Sequence, residues 1–282
     1  MRCIMKLHYL GTAAAEGWPA LFCSCENCQR ARKVKGKSYR SRPQALIDGN
    51  LMIDFGPDTF YHMMKYDLDF SKIQHVILTH SHTDHFYATD LILRAFPYAY
   101  YGDERKMTVY GNEKCHWMFL RTLEVEDDSQ NMRDCVGFEE IRAFQPFQIP
   151  GYGITPLHAV HDPKEECLFY LIRDEEGKTL LFANDTGIFP EDTWEALAGV
   201  KLDCVSLDCT LGNDPNMECG HMGLKAVRSV VQRLRKMECI DKDTPVVLTH
   251  FSHNGNLLHE ELETETKEDG FVIAYDGMLL EF

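Results

Sequence analysis

The densest chemistry in this chain lies at Thr79-His80-Ser81-His82-Thr83-Asp84-His85, where three histidines and an aspartate fall within six residues. Neutral imidazole is a ligand for zinc, iron, manganese and nickel, and a carboxylate suits the harder end of that series. On a loop leaving a strand, His80 and His82 can point to one side. Asp84 and His85, placed at the start of a helix, can point to the other. One short motif can thereby serve two metal ions side by side. A second cluster, Cys23-Ser24-Cys25-Glu26-Asn27-Cys28, supplies three thiolates in the pattern C-x-C-x-x-C and needs a fourth ligand to close a tetrahedral zinc. It reads as a zinc knuckle at about residues 22–30.

The elements that must hold these residues are legible from apolar patterning. Strands are expected at Cys3–Leu10, Ala45–Ile47 and Leu51–Asp54, the last two joined by the Asp48-Gly49 turn of a hairpin. His75–Leu78 is a short apolar strand running into His80, and Thr83–Ala95 is expected to be helical. Further strands are expected at Met107–Tyr110, Ile154–Leu157, Cys167–Ile172, Thr179–Ala183, Cys204–Leu207 and Val246–Leu248, with helices at Asn112–Thr122, Thr193–Leu197 and Leu224–Met237. Phe271–Tyr275 and Met278–Phe282 flank a second turn, Asp276-Gly277. Hairpins mixed with well-separated helices predict two sheets covered by helices in one α/β domain spanning 1–282. The candidate histidines fall just past strand ends, where ligands collect in open α/β architectures.

Composition narrows the function. The 282 residues are 44% hydrophobic and 26% charged, which excludes a disordered or collagen-like chain. Lys plus Arg is 29 against 44 Asp plus Glu, a formal charge of −15 that argues against a long nucleic-acid partner. A small anionic substrate is compatible with that charge, since bound cations invert the local field. No apolar run is long enough to span a membrane and no export signal is visible, so a cytoplasmic protein is expected and the eleven cysteines are read as thiols or metal ligands. The basic run Arg30–Arg42 would attract an anion or be a solvated face, and Phe96, Tyr98, Tyr100 and Tyr101 would wall the site or pack in a core or dimer.

The motif His80-x-His82-x-Asp84-His85 resembles the signature of the metallo-β-lactamase superfamily, and further matches follow in order across almost the whole chain. The resemblance implies a four-layered αββα sandwich with a one- or two-metal site at the edge of the sheets. It implies that His161 in Leu157-His158-Ala159-Val160-His161 is the next ligand, in preference to His158. Asp185 in Ala183-Asn184-Asp185 matches the bridging aspartate, and His250 in Leu248-Thr249-His250 the last ligand. His80, His82 and His161 would then hold one divalent ion, zinc, manganese or iron. Asp84, His85 and His250 would hold a second, with Asp185 between them. Asp84 counts among both the ligands and the catalytic residues. Thr249-His250-Phe251-Ser252-His253 supplies His253 as the fourth ligand of a structural zinc with Cys23, Cys25 and Cys28. That combination resembles the PhnP-like phosphodiesterases and, in part, the coenzyme-pyrroloquinoline-quinone accessory proteins.

His221, in Glu218-Cys219-Gly220-His221-Met222-Gly223, matches the histidine that related phosphodiesterases and ribonuclease Z use on the leaving group. Asp208 would orient it. No Gly- and Lys-rich arm of the kind by which ribonuclease Z grips tRNA is evident. The expectation is a dinuclear phosphodiesterase hydrolysing a small cyclic or nucleotide-like phosphodiester, in which a hydroxide bridging the ions attacks phosphorus and His221 is the general acid. The competing expectations are a lactone or thioester hydrolase and a non-catalytic carrier. A homodimer is compatible with the resemblance.

Overall fold

The computed structural model of the protein describes residues 4–100, 106–126, 131–214 and 220–282. The first half of the chain lays down β1 (Lys6–Gly11), β2 (Gln44–Ile47), β3 (Leu51–Ile53), β4 (His75–Ile77), β5 (Met107–Gly111) and β6 (Val136–Glu140). The second half adds β7 (Phe147–Ile149), β8 (Tyr152–His158), β9 (Leu168–Asp174), β10 (Thr179–Ala183), β11 (Cys204–Asp208), β12 (Val246–Thr249), β13 (Val272–Ile273) and β14 (Met278–Glu281). Two sheets result, ordered β14-β1-β2-β3-β4-β5-β6 and β13-β12-β11-β10-β9-β8-β7.

Period-two alternation sorts the strand residues between two faces. Leu7, Tyr9, Ala45, Ile47, Ile53 and Ile77 of the first sheet meet Ile154, Tyr170, Ile172, Leu180, Phe182 and Val247 of the second in one core. Tyr9 Oη donates to Ser206 Oγ across that interface at 2.8 Å. The intervening residues face outward. Leu46, Met52, Val76 and Val109 pack under Leu91, Phe119 and Leu123. Leu181, Val205, Leu207 and Leu248 pack under Trp194 and the apolar stripe Leu224, Val227, Val230, Val231 and Leu234 of the helix Leu224–Lys236. Helices therefore cover both outer faces of the paired sheets, the αββα arrangement expected from the sequence.

Each sheet is antiparallel on one side and parallel on the other: β3 to β6 run parallel, as do β10 to β13. Parallel strands end at a common edge, and the histidine and aspartate side chains emerge there. Two expectations are corrected. Residues Thr83–Ala95 do not form one helix: turns carry Asp84 and His85, and a 3₁₀ segment occupies Ala88–Arg94. Backbone bonds from Phe55 N to His85 O and from Tyr87 N to Phe55 O, both 2.7 Å, tie the signature loop to the end of β3 instead. Gly56 permits this, since a Cβ there would stand 2.0 Å from Asp84 O. The two strands flanking Asp276-Gly277 also part company, β13 pairing with β12 and β14 with β1. Cys3 and Tyr101 lie outside the described residues. No described helix is long and apolar enough to cross a membrane.

Candidate metal centre

Three strand ends turn sharply to aim the site. Asp54, Asp185 and His250 follow β3, β10 and β12 with φ of 64°, 48° and 62°, the left-handed region that non-glycine residues occupy at a cost of about 1–3 kcal/mol. Each turn points a side chain into the edge rather than along the sheet. His80, His82 and His161 bring a ligand atom each within 4.8 Å of one another, as do Asp84, His85, Asp185 and His250. His158 is outside both sets, its Nδ1 2.6 Å from Asp192 and its Nε2 3.2 Å from Glu166.

The ring atoms point inward without conventional partners. His80 Nε2, His85 Nε2, His250 Nε2 and Asp185 Oδ1 are buried and make no hydrogen bond. His82 Nδ1 and His161 Nε2 face each other at 3.1 Å, and His85 Nε2 stands 2.6 Å from Asp185 Oδ2. Burying so many converging acceptors is unfavourable unless a cation satisfies them, so the residues present fit a pair of divalent ions. Burial, reinforced by the charge of His85, drives His80 well below the ordinary histidine range and favours the neutral, ligating ring. Burial also opposes ionisation of Asp185, yet His250 and His85 outweigh it and hold the carboxyl well below its usual range.

Side chains around the site fix these groups. Asp54 Oδ2 accepts from His85 Nδ1 at 2.7 Å and its Oδ1 accepts from Thr79 N at 2.8 Å, which sets the His85 tautomer so that Nε2 faces the cluster. Glu165 accepts from Ser81 N at 3.0 Å and Ser81 Oγ at 2.7 Å, anchoring the loop between His80 and His82. Neither acid is marked by residue spacing in the sequence. The available signal for Asp54 was a carboxylate closing an apolar strand.

Asp208 and His221 adjoin the same cluster. Asp208 Oδ1 accepts from Thr210 N at 3.0 Å and Met222 N at 2.9 Å, and its Oδ2 accepts from Thr210 Oγ at 2.9 Å and His221 Nδ1 at 2.9 Å. These four contacts hold the Asp208 carboxylate against the His221 ring, and Asp185, Asp208, His221 and His250 also bring a ligand atom each within 4.8 Å of one another. His221 lines a cavity of about 270 Å³ together with His82, His161 and Asp185. A larger cavity of about 570 Å³ lies at the other end of β10, against Gln148, Arg173 and Lys201, and its lining includes no histidine or cysteine.

The cysteine cluster is also assembled: Cys23, Cys25, Cys28 and His253 place their ligand atoms within 4.8 Å of one another. His253 Nδ1 lies 3.3 Å from Cys25 Sγ and 3.8 Å from Cys23 Sγ. Slight burial opposes ionisation of Cys25, but the Cys28 N–H and His253 outweigh it and bring the thiol down to about 6, where thiolate is available to a metal. The basic run is partly paired: Arg30 pairs with Glu261, Arg42 with Asp58 and Lys37 with Glu263, and Arg40 is buried, while Arg32, Lys33 and Lys35 lie on an exposed face. Phe96, Tyr98 and Tyr100 are exposed, and none lines the histidine cavity.

A helix-covered pair of sheets with a histidine–aspartate cluster at their common edge defines a class of metal-binding, hydrolase-like proteins. The chain belongs to the metallo-β-lactamase superfamily, its residues 49–251 matching the beta-lactamase superfamily domain. Coenzyme PQQ synthesis protein B of Acinetobacter baumannii (strain ACICU) is 23% identical over 318 residues, covering 98% of this chain and all of the relative. The crystal structure of a diphosphatase from the PhnP family is similar with a TM-score of 0.73 and 25% identity, covering 99% of this chain and 98% of that one. Zinc-bound PqqB from Methylobacterium extorquens has the same fold, with a TM-score of 0.72 at 20% identity over 98% of this chain and 100% of its own.

Proposed function

We propose that this protein is a dinuclear metal-dependent phosphodiesterase acting on a small cyclic or nucleotide-like phosphodiester. The observation that carries the reading is the Asp208–His221 pair: an aspartate saturated by four donors holds an imidazole at the wall of a cavity lined by metal-type ligands. His80, His82 and His161 would hold one ion, Asp84, His85 and His250 the other, and Asp185 would serve both. Cys23, Cys25, Cys28 and His253 would hold a structural zinc. Bound divalent ions supply an acidified water and neutralise the phosphoryl oxygens. With Nδ1 committed to Asp208 Oδ2 at 2.9 Å, His221 carries its transferable proton on Nε2. Asp208 keeps the ring in that tautomer. The similarity to a PhnP-family diphosphatase supports phosphoryl chemistry.

General acid catalysis matters in proportion to how poor the leaving group is. His221→Ala should lower kcat on a 2′,3′-cyclic nucleotide by about 10²–10⁴-fold. The loss on bis-p-nitrophenyl phosphate, whose phenolate leaves without help, should be far smaller. Equal losses on the two substrates would contradict the role given to His221.

The similarity to coenzyme PQQ synthesis protein B favours a second reading, a part in the synthesis of coenzyme PQQ, which we take in its non-catalytic, carrier form. Metal-replete protein that turns over no phosphodiester, lactone or thioester would select it.

A further inference from the structure

The outer face of the second sheet is covered by helix only in part. Leu157, Phe169 and Leu181 are buried with Trp194 under the helical layer, whereas Leu171, two residues further along β9, is half-buried. Beyond it, Gln148, Gly153, Arg173 and Thr179 stand in register side by side across β7, β8, β9 and β10. Register partners share a face of the sheet, and Thr155 and Leu171 form the next row on that face. Gly199, Val200 and Lys201 line the same space, which is the cavity of about 570 Å³ at the end of β10 remote from Asp185. Small-molecule sites commonly have volumes of about 300–1,000 Å³.

Charge in this cavity is unbalanced by one guanidinium. Asp203 accepts from Lys178 Nζ at 2.8 Å and from Thr179 N at 2.9 Å. Lys201 Nζ donates to Glu238 O and lies 3.9 Å from Glu238 Oε2. Among the described residues, none accepts from the Arg173 guanidinium, the Gln148 amide or the Thr155 hydroxyl. The guanidinium lies over the β9–β10 turn at Gly177, where φ is +92° and a Cβ would stand 3.4 Å from Arg173 Nη2. In a chain of formal charge −15, this arginine is left without a carboxylate beside neutral donors. A guanidinium so placed can hold an oxyanion through two parallel hydrogen bonds. Pro146, Leu171 and Val200 make part of the wall apolar.

We propose that this cavity is a second ligand site that takes a small organic anion, with its oxyanion group on Arg173 and its hydrocarbon body against Leu171 and Val200. The site stands apart from the phosphodiesterase reading, since no residue lines both this cavity and the histidine cavity.

Naphthalene-2-sulfonate is the probe, because a sulfonate pairs with a guanidinium and ligates divalent metals only weakly. Naphthalen-2-ylmethanol lacks its charge, and methanesulfonate lacks its body. Titration calorimetry on the metal-loaded protein should show the full probe binding about tenfold more tightly than either, the scale of hydrogen bonds to a charged group. Arg173→Gln keeps a donor without the charge and should weaken binding of the probe about tenfold. Val200→Glu sets a carboxylate in the wall and should abolish detectable binding, with metal content unchanged in both variants. Amide resonances of Gly153, Gly177 and Gly199 should shift during the titration, while that of Gly220, beside His161, should not. Equal binding of the neutral alcohol, equal affinity in Arg173→Gln, shifts at Gly220 in place of the cavity glycines, or no binding of the probe would each overturn the proposal.

Discussion

The ligating residues depend on neighbours that never touch a metal. Asp54 is the clearest case, because one buried carboxylate accepts from His85 Nδ1, Thr79 N and Thr79 Oγ and so fixes both the ring and the loop before it. Asp54→Asn would set an amide N–H against the His85 N–H and turn the ring toward the wrong tautomer. Such changes around metal sites lower affinity by about 10–100-fold. A chelator competition titration of the histidine–aspartate site should show this loss, and unchanged affinity would remove Asp54 from the account. His80, His82, Asp84 and His85 announce themselves in sequence because their chemistry is concentrated in six residues. Asp54 and Glu165 do not, since a single acid acting through another side chain leaves no spacing to read.

At the scale of elements, the site is an edge property of parallel strands, and those strands are held by the helices outside them. Leu234, on the helix Leu224–Lys236, is fully buried against the second sheet. Leu234→Ala leaves a cavity that should destabilise the protein by about 2–5 kcal/mol. Urea unfolding should show a lower midpoint with an unchanged slope, and a shift below about 0.5 kcal/mol would mean this helix is not part of the cooperative core. Strand β10 was legible to the residue, because a buried threonine and four buried apolar residues sit between turn signals. The Asp276-Gly277 turn misled, since local alternation cannot report that β13 finds a parallel partner in β12 while β14 reaches β1. Strands β6 and β7 escaped notice because each is a sheet edge with polar positions in a short run. The signature loop looked helical by composition, yet its backbone is claimed by Phe55.

For the whole molecule, buried histidines away from the metal cluster set the acid limit of stability. His62 donates from Nδ1 to Gln44 Oε1 at 2.7 Å, and burial brings it down to about 4. His259 beside Arg40 is likewise brought down to about 4, by burial first and then by the guanidinium. Both are neutral when folded, whereas the unfolded chain takes up their protons near pH 6.5. Stability should therefore be complete above that value and fall as pH drops from about 6.5 to about 4, each histidine contributing up to about 3 kcal/mol. Urea midpoints at pH 7 and pH 5 should differ in that direction, and His62→Gln should reduce the difference. An equal difference in the variant would assign the effect elsewhere.

The charge of −15 and the converging carboxylates make the cavity receptive to an anion only when cations are present. The most direct test is to count metals and assay 2′,3′-cyclic nucleotide hydrolysis on the same protein, first as purified, then stripped and reloaded. The account predicts two ions at the histidine–aspartate cluster, one at the cysteine cluster, and turnover that follows occupancy of the first. A fully loaded protein that hydrolyses thioesters or lactones but no phosphodiester, or one that retains fewer than two ions at the histidine–aspartate cluster, would contradict it.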